Sequence, residues 1–217
     1  MKLYIFDLDG TLLNTLGVIA DNSNYALKKY GYEPVDTEKY TSYIGNGARV
    51  LIERVSEYRG VAPDAIDDIY KAFLLRYIEN PLGDTTAYEG IEEMLEKLKK
   101  RGSYLAVLTN KPDGAAQSSI ESYFRKGLFD MVIGQQERYK RKPDPQTVEL
   151  ILSSLGIRKS EAVMIGDSDV DIKTGKNAGI KTCAVTWGYV DKNELASLNP
   201  DIIIDKVCEL EKLIYEE

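Results

Sequence analysis

The run LYIFDLDGT, residues 3–11, constrains the fold of this chain more tightly than any other stretch. Its first four residues are apolar without interruption, which is typical of a strand buried on both faces of a parallel sheet. Two carboxylates, Asp7 and Asp9, follow directly, and Gly10 and Thr11 come next. We therefore predict a buried first strand that ends in a polar turn.

Further apolar runs predict that this strand belongs to a larger sheet. They are residues 104–108, 131–133, 162–165, 182–185 and 202–204. Helical patterns lie between most of these runs, and two of them, near residues 91–98 and 148–155, are followed by a glycine that marks a helix end. Strands that alternate with helices indicate an α/β fold with a Rossmann-like parallel sheet and right-handed crossovers.

Residues 15–81 interrupt this alternation. They contain no convincing strand, and their patterns predict helices near residues 18–30, 39–58 and 63–78. The chain is expected to leave the sheet at residues 13–15 and to return at residues 80–86. We therefore predict two domains, which are a Rossmann-like core of residues 1–14 and 82–217 and an inserted all-helical domain of residues 15–81.

Composition excludes several classes of function. The chain has 217 residues, is 43% hydrophobic and 29% charged, and carries a net charge of −7, which argues against nucleic-acid binding. Its apolar runs are too short to span a bilayer, no signal peptide is evident, and its two cysteines form no CxxC pair, so we expect a cytoplasmic protein without membrane contact. There is no histidine, so Ser-His-Asp catalysis and histidine-ligated zinc are excluded, and any metal should be a hard cation bound by oxygen.

Polar residues follow several of the predicted strands. Asp7 and Asp9 follow the first, residues 109–111 (Thr-Asn-Lys) the second, and residues 166–171 (GDSDVD) the run at 162–165, while Lys142 comes before a predicted helix. The carboxyl ends of parallel strands share one edge, where ligands bind. Clustered carboxylates suit Mg²⁺, which also neutralises an incoming phosphate. We therefore expect in-line attack by a carboxylate on phosphorus, with a second carboxyl group as the acid and base.

The same residues resemble the sequence motifs of the haloacid dehalogenase superfamily, in its phosphatase branch. The similar segments are residues 6–12 (FDLDGTL), 109–110 (TN), 142–143 (KP) and 166–168 (GDS) with Asp171. The resemblance implies an HAD-like core and identifies the helical insertion as similar to the cap that closes over the active site in this family.

The resemblance also implies roles for individual residues. Asp7 would be the nucleophile and a metal ligand, and Asp9 the general acid and base, which also gives its backbone carbonyl to the metal. Asp167 and Asp171 would complete the Mg²⁺ site. The residues expected to bind or neutralise the phosphoryl group are Gly10, Thr11, Thr109, Asn110 and Lys142, the last of which also counts as catalytic.

Within this family the chain is most similar to the phosphoglycolate phosphatase subgroup. The similar segments are residues 44–48 (IGNGA), 108–112 (LTNKP) and 187–189 (WGY), whereas Asn14 stands where many relatives carry aspartate. The resemblance implies hydrolysis of 2-phosphoglycolate to glycolate and phosphate. In the 44–48 loop, Gly45 permits close approach of the backbone to a ligand, and Arg49 is predicted to pair with a substrate carboxylate.

Several alternatives stay open at this stage. Pyrophosphatases and sugar or nucleotide phosphatases share some of these features, and a phosphosugar mutase would share Asp7 and Asp9. A dehalogenase and a phospho-acceptor signalling domain fit less well, since the former needs neither Asp9 nor a metal and the latter has no place for the insertion. The partner is expected to be a small phosphorylated metabolite. The sequence decides neither between monomer and homodimer, nor between Mg²⁺ and Mn²⁺, nor whether Lys111 contacts the substrate.

Overall fold

The structure, a computed structural model, describes residues 1–214 of the chain. Within them lie eight strands: β1 (Leu3–Phe6), β2 (Leu13–Asn14), β3 (Thr86–Ala87), β4 (Tyr104–Pro112), β5 (Met131–Gln135), β6 (Ala162–Gly166), β7 (Lys181–Val185) and β8 (Ile202–Ile204). The α-helices are α1 (Leu16–Lys29), α2 (Ala48–Arg59), α3 (Ile66–Glu79), α4 (Ile91–Lys100), α5 (Asp113–Tyr123), α6 (Gln146–Leu155), α7 (Asp169–Ala178) and α8 (Lys192–Ser197). Short 3₁₀ helices occupy Thr37–Ser42, Pro63–Ala65, Lys159–Glu161 and Val207–Ile214.

Six strands form one parallel sheet in the order β5-β4-β1-β6-β7-β8. β1 lies in its interior, and Phe6 at its end stands beside Val107 of β4 and Ile165 of β6. The predicted α/β fold with a Rossmann-like parallel sheet is therefore confirmed. Because the strands are parallel, their carboxyl ends lie at one edge of the sheet, where Asp7 follows β1, Asp167 follows β6 and residues 109–111 form the last part of β4.

Helices cover both faces of this sheet. Tyr4 and Phe6 of β1 belong to a hydrophobic cluster with residues of α4 and α5, whereas Leu3 and Ile5 belong to a cluster with residues of α6 and α7. Alternate residues of a strand point to opposite faces, which explains why the whole run Leu3–Phe6 is apolar. Both faces of β1 are thus buried, and the sheet is a rigid base for the residues at its edge.

The segment from α1 to α3 packs around a hydrophobic cluster that is mostly its own, with Ile52, Phe73 and Tyr77 among its buried members. The prediction of a single helix near residues 39–58 is wrong, because the structure has a 3₁₀ helix at Thr37–Ser42, then a loop, and then α2. Gly45 and Gly47 in that loop adopt φ values of +107° and +86°, which a continuous right-handed helix does not allow.

The two connections between this helical segment and the sheet are paired with each other. β2 and β3 form a small antiparallel ladder in which Leu13 stands opposite Ala87. This ladder was not predictable from the sequence, because two residues on each side are too few to produce a periodic pattern. Among residues 1–214, none of the helices combines the length and the apolar character needed to cross a membrane.

Candidate active site

Three buried carboxylates meet at the edge of the sheet. Asp7 follows β1, Asp167 follows β6, and Asp171 lies in the first turn of α7. Each provides an oxygen within 4.8 Å of the others, and each side chain is buried. The adjacency of β1 and β6 explains this cluster, because residues separated by 160 positions in sequence follow neighbouring strands.

Burial and mutual repulsion oppose ionisation of this cluster. Burial raises the pKa of Asp7 to about 7, and Asp171 adds to the effect, while Lys142 acts in the opposite direction. Burial likewise raises the pKa of Asp167 to about 8, with further contributions from Asp171 and Asp7. Both values lie well above the ordinary range of an aspartate. Three carboxylates held this way favour binding of a cation, which relieves the repulsion.

Lys142 provides part of the required positive charge. Its Nζ lies 2.9 Å from Asp7 Oδ1 and 2.6 Å from Asp171 Oδ1. Burial alone would lower the pKa of Lys142, but Asp171 and Asp7 outweigh it and raise the pKa above its ordinary value, so the ammonium stays charged. One ammonium does not balance three carboxylates. Asp7 Oδ1 also accepts no well-directed hydrogen bond within residues 1–214. The residues present therefore fit a divalent cation with oxygen ligands.

Neighbouring groups hold the other two carboxylates in place. Thr11 Oγ1 donates to Asp167 Oδ1 at 2.9 Å, and the backbone N–H of Tyr189 donates to Asp167 Oδ2 at 2.9 Å. Asp171 Oδ2 accepts hydrogen bonds from the backbone N–H and the hydroxyl of Ser168, at 3.1 and 2.6 Å. Such outer contacts orient the groups that bind a metal.

Gly10 leaves space for the same cluster. A Cβ atom on Gly10 would lie 2.3 Å from Asp167 Oδ2, far inside van der Waals contact, and the φ of +86° also favours glycine. Gly10 is therefore needed for the position of Asp167.

Asp9 lies beside the cluster in a different environment. Its Oδ1 accepts hydrogen bonds from Thr15 Oγ1 and Lys111 Nζ, both at 2.8 Å. The hydroxyl of Tyr189 accepts a hydrogen bond from the backbone N–H of Thr15, which fixes that residue in turn. The side chain of Asp9 is thus held close to Asp7 in a wall of the same cavity but outside the three-carboxylate group.

Thr109 and Asn110 come to the same edge from β4. Both are buried and line a cavity together with Asp7. The side-chain N–H groups of Asn110 donate to the backbone carbonyls of Gly45 and Lys142, at 3.0 and 3.2 Å, and its Oδ1 accepts from the backbone N–H of Lys142 at 3.0 Å. Asn110 therefore connects the loop before α2 and the loop of Lys142 to the sheet.

The cavity above Asp7 is small and mostly apolar on the side of the helical segment. Its volume is about 40 Å³, and Gly45 and Gly47 lie in its wall. The apolar part of the lining is formed by Ile19, Ile44, Ala48, Leu51 and Phe73. A single water molecule needs about 10–15 Å³ on this measure, so the cavity has room for a few water molecules beside the carboxylates.

The structure does not bring Arg49 into this cavity. Its guanidinium pairs with Glu53 Oε1 at 2.7 Å and with Asp67 Oδ1 at 2.5 Å, and its side chain lines a neighbouring cleft. Glu53 lies four residues further along α2, a spacing that favours such a pair on a helix surface. The other residues predicted for the site all lie at this edge of the sheet or in the loop that faces it.

Three residues of the site, Tyr77, Thr15 and Tyr189, were not predicted, whereas Lys111 was expected at this edge with its contact to the substrate left open. Lys111 and Tyr77 lie in the cavity wall, and Thr15 and Tyr189 hold Asp9 or its neighbours. The segment WGY, residues 187–189, was a signal for Tyr189, and the position of Lys111 after Asn110 was a weaker one. Tyr77 gave no local signal, because only the packing of α3 on the sheet brings it there.

Comparisons with known proteins agree with this geometry. A family model described as haloacid dehalogenase-like hydrolase matches residues 4–185. The phosphoglycolate phosphatase of Aquifex aeolicus is 35% identical over 216 residues, which cover 99% of this chain and 97% of the relative. That of Rhodospirillum rubrum is 35% identical over 218 residues, covering 96% and 89%.

Solved structures resemble the whole chain as well. A crystal structure described as a predicted phosphoglycolate phosphatase from Haemophilus somnus 129PT superposes with a TM-score of 0.92 at 31% identity, and the match covers 99% of this chain and 98% of that one. From the family model, the relatives and the shared fold, we conclude that the chain belongs to the haloacid dehalogenase-like hydrolases and is a phosphoric monoester hydrolase.

Proposed function

We propose that this enzyme is a Mg²⁺-dependent phosphatase that hydrolyses 2-phosphoglycolate to glycolate and phosphate through an aspartyl-phosphate on Asp7. The observation that carries the proposal is the meeting of Asp7 with Asp167, Asp171 and Lys142 beneath a small cavity. The choice of substrate is supported by the relatives, which are named phosphoglycolate phosphatases and match this chain over nearly their whole length. It is also supported by the small volume of the cavity.

Asp7, Asp167 and Asp171 would hold the Mg²⁺ ion, together with the backbone carbonyl of Asp9. When bound, the ion neutralises carboxylate and phosphate charge, so that an anionic nucleophile approaches an anionic phosphoryl group with less repulsion. The raised pKa values of Asp7 and Asp167 support this assignment, because they indicate carboxylates that are not stable as free anions in this position. The donor set of oxygens alone suits Mg²⁺, and it suits Mn²⁺ too.

The chain's own residues would divide the chemistry into two steps. In the first, a carboxylate oxygen of Asp7 forms a bond to phosphorus as the bond to the leaving oxygen breaks, and protonated Asp9 gives its proton to that oxygen. In the second, Asp9 accepts a proton from water, whose oxygen attacks phosphorus and releases phosphate and Asp7. Lys142 would neutralise charge on the phosphoryl group as it is transferred. The other residues proposed to contact the phosphoryl group are Gly10, Thr11, Thr109 and Asn110.

The helical residues 15–81 would act as a cap domain on a core of residues 1–14 and 82–217. This division is supported by the separate hydrophobic cluster of the helical segment and by the β2–β3 ladder at its two connections. Closure of the cap would exclude bulk water during phosphoryl transfer.

A cytoplasmic location belongs to the same proposal and fits the absence of a disulfide between buried Cys183 and exposed Cys208.

Phosphate release from a panel of esters tests the proposal. The panel contains 2-phosphoglycolate, pyrophosphate, a hexose phosphate, a nucleoside monophosphate and p-nitrophenyl phosphate, each with Mg²⁺ and again with EDTA. We expect the highest kcat/KM for 2-phosphoglycolate and loss of all turnover in EDTA. Equal or higher activity on another ester would refute the substrate, and full activity in EDTA would refute the metal dependence.

A further inference from the structure

Lys111 is a buried cation that the reaction described above does not use. It lies in β4, directly after Asn110, and its side chain is 1% exposed. Its Nζ donates to Asp9 Oδ1 at 2.8 Å and to the hydroxyl of Tyr77, and it also lies 4.9 Å from the centre of the Tyr77 ring. A buried ammonium is costly unless it is paired, and Asp9 and Tyr77 provide that pairing here.

The charges in the cavity wall are unevenly distributed. Of the described residues that line it, the charged ones are Asp7, Asp9 and Lys111. The two carboxylates belong to the reacting end, and much of the rest of the wall is apolar. Lys142 pairs with Asp7 and Asp171 beneath this cavity. An anionic group on the leaving side of the substrate therefore has Lys111 as its cationic partner in this wall.

The reach of Lys111 matches a short acid. If Asp9 protonates the leaving oxygen, that oxygen lies ~2.7 Å from the carboxylate of Asp9, which is an ordinary hydrogen-bond length. Lys111 Nζ is 2.8 Å from Asp9 Oδ1, so it lies at most ~5.5 Å from a leaving oxygen bonded to Oδ1. The limit is ~7.7 Å for a leaving oxygen bonded to Oδ2, because the two oxygens of a carboxylate are ~2.2 Å apart. In glycolate the carboxylate oxygens stand ~2.7–3.6 Å from the hydroxyl oxygen, so a carboxylate of this length reaches within a hydrogen bond of the ammonium.

We propose that Lys111, held by Tyr77, binds the carboxylate of the leaving group and thereby selects acidic phosphate esters. This inference rests on the proposed function, since it assigns the residues that recognise the acid. It also replaces Arg49, the residue predicted from the sequence for this contact, whose guanidinium is paired elsewhere.

The two residues come from different parts of the chain. Lys111 belongs to the sheet, whereas Tyr77 lies in the last turns of α3 in the helical segment. Their contact exists only while α3 lies against the edge of the sheet. Binding of the acid by Lys111 and Tyr77 together therefore requires the helical segment to be in this position.

A pair of substrates that differ in one charge tests the inference. 2-Phosphoglycolate and its uncharged amide, phosphoglycolamide, have nearly the same size and the same leaving oxygen. We expect the wild-type enzyme to prefer the acid through a lower KM. Lys111→Met should raise KM for the acid relative to KM for the amide by roughly ten- to a hundredfold, the range for loss of a hydrogen bond to a charged group. A fall in kcat that both substrates share reflects the lost contact of Lys111 with Asp9.

Two further variants complete the design. Tyr77→Phe retains the ring and removes only the hydroxyl, so it should raise KM for the acid by a smaller factor, and it serves if Lys111→Met does not fold by circular dichroism. Lys97→Met is the matched control, because Lys97 lies on the surface of α4, outside the cavity, and also forms ion pairs, with Glu93 of α4 and with Glu211. It should leave both substrates unaffected.

The outcomes separate this inference from the proposed function. Equal losses for acid and amide in Lys111→Met and Tyr77→Phe would reveal a structural role and overturn the inference, as would unchanged KM values in both variants. A wild-type enzyme that hydrolyses both esters without preference would also overturn it, while leaving the phosphatase activity intact. Hydrolysis of neither ester by the wild type, with activity on another ester of the panel, would instead refute the proposed substrate.

Discussion

Replacing Gly10 by alanine should displace Asp167 and weaken metal binding. Two costs follow from the structure. The φ of +86° is unfavourable for alanine by about 1–2 kcal/mol. The new Cβ would also lie 2.3 Å from Asp167 Oδ2 and 2.7 Å from its Cγ, so the carboxylate has to move. Movement breaks at least one of its hydrogen bonds, from Thr11 or Tyr189. With Mg²⁺ bound and Asp167 ionised, each such bond contributes about 1.5–3 kcal/mol.

Gly31→Ala is the matched control for backbone strain. Gly31 has a φ of +82°, and no atom lies within 4 Å of the Cβ that alanine would add. It should therefore cost about 1–2 kcal/mol alone, which lowers the melting temperature by about 2–8 °C in a chain of this length. With Mg²⁺ present, Gly10→Ala should cost about 2.5–5 kcal/mol in total, by addition of the strain and the lost hydrogen bond.

The assay combines thermal unfolding with titration of activity by Mg²⁺. Gly31→Ala should keep the wild-type Mg²⁺ concentration for half-maximal activity. Gly10→Ala should require about ten- to a hundredfold more Mg²⁺ for half-maximal activity, because changes to the outer contacts of a metal ligand alone have an effect of this size. If Gly10→Ala behaves like Gly31→Ala in both measurements, Asp167 is not constrained by Gly10, and the proposed metal site is wrong in this respect.

Three other changes test the electrostatics of the site. The raised pKa values of Asp7 and Asp167 mean that the metal-free protein loses stability as the pH rises from about 5 to 8, since ionisation is more costly in the folded state. Mg²⁺ should therefore raise the melting temperature more at pH 8 than at pH 5, and an equal shift at both would contradict this. Lys142→Met removes the cation shared by Asp7 and Asp171 and should lower kcat, measured at saturating substrate, by about a hundredfold or more. A near-normal kcat would show that this charge is dispensable. Ser168→Ala removes the hydroxyl that donates to Asp171 and should raise the Mg²⁺ concentration for half-maximal activity by about tenfold. The KM for the substrate should change little once Mg²⁺ is saturating. An unchanged Mg²⁺ requirement would show that the hydroxyl of Ser168 does not orient Asp171 for the metal.

Much of the fold was predictable because burial on both faces leaves a strong pattern. The run at Leu3–Phe6 has no polar residue since both of its faces are covered, and the structure gives it the predicted bounds. The rule that loops after parallel strands share one edge placed Asp7 and Asp167 together although the two residues are far apart in sequence.

Other features depend on tertiary structure, which local patterns do not encode. The predicted helix at 39–58 overlooked the conformational effect of Gly45 and Gly47, which end one turn and permit the next helix to start. Arg49 was predicted to face the substrate, but Glu53, four residues on, was already a local sign that it would pair along the helix surface. The contact of Tyr77 with Lys111 was not predictable, because it depends on how α3 lies against the sheet.

The most direct test of the central claim is to trap the phosphoryl group on the protein. Wild-type enzyme with Mg²⁺ and 2-phosphoglycolate is quenched in acid within one turnover and digested, and the peptides are analysed by mass spectrometry. We predict one phosphoryl group on Asp7 and none in an Asp7→Asn variant, which should also fail to release phosphate. Rapid phosphate release without any modified peptide, or a phosphoryl group on another residue, would contradict the assignment of Asp7 as the nucleophile.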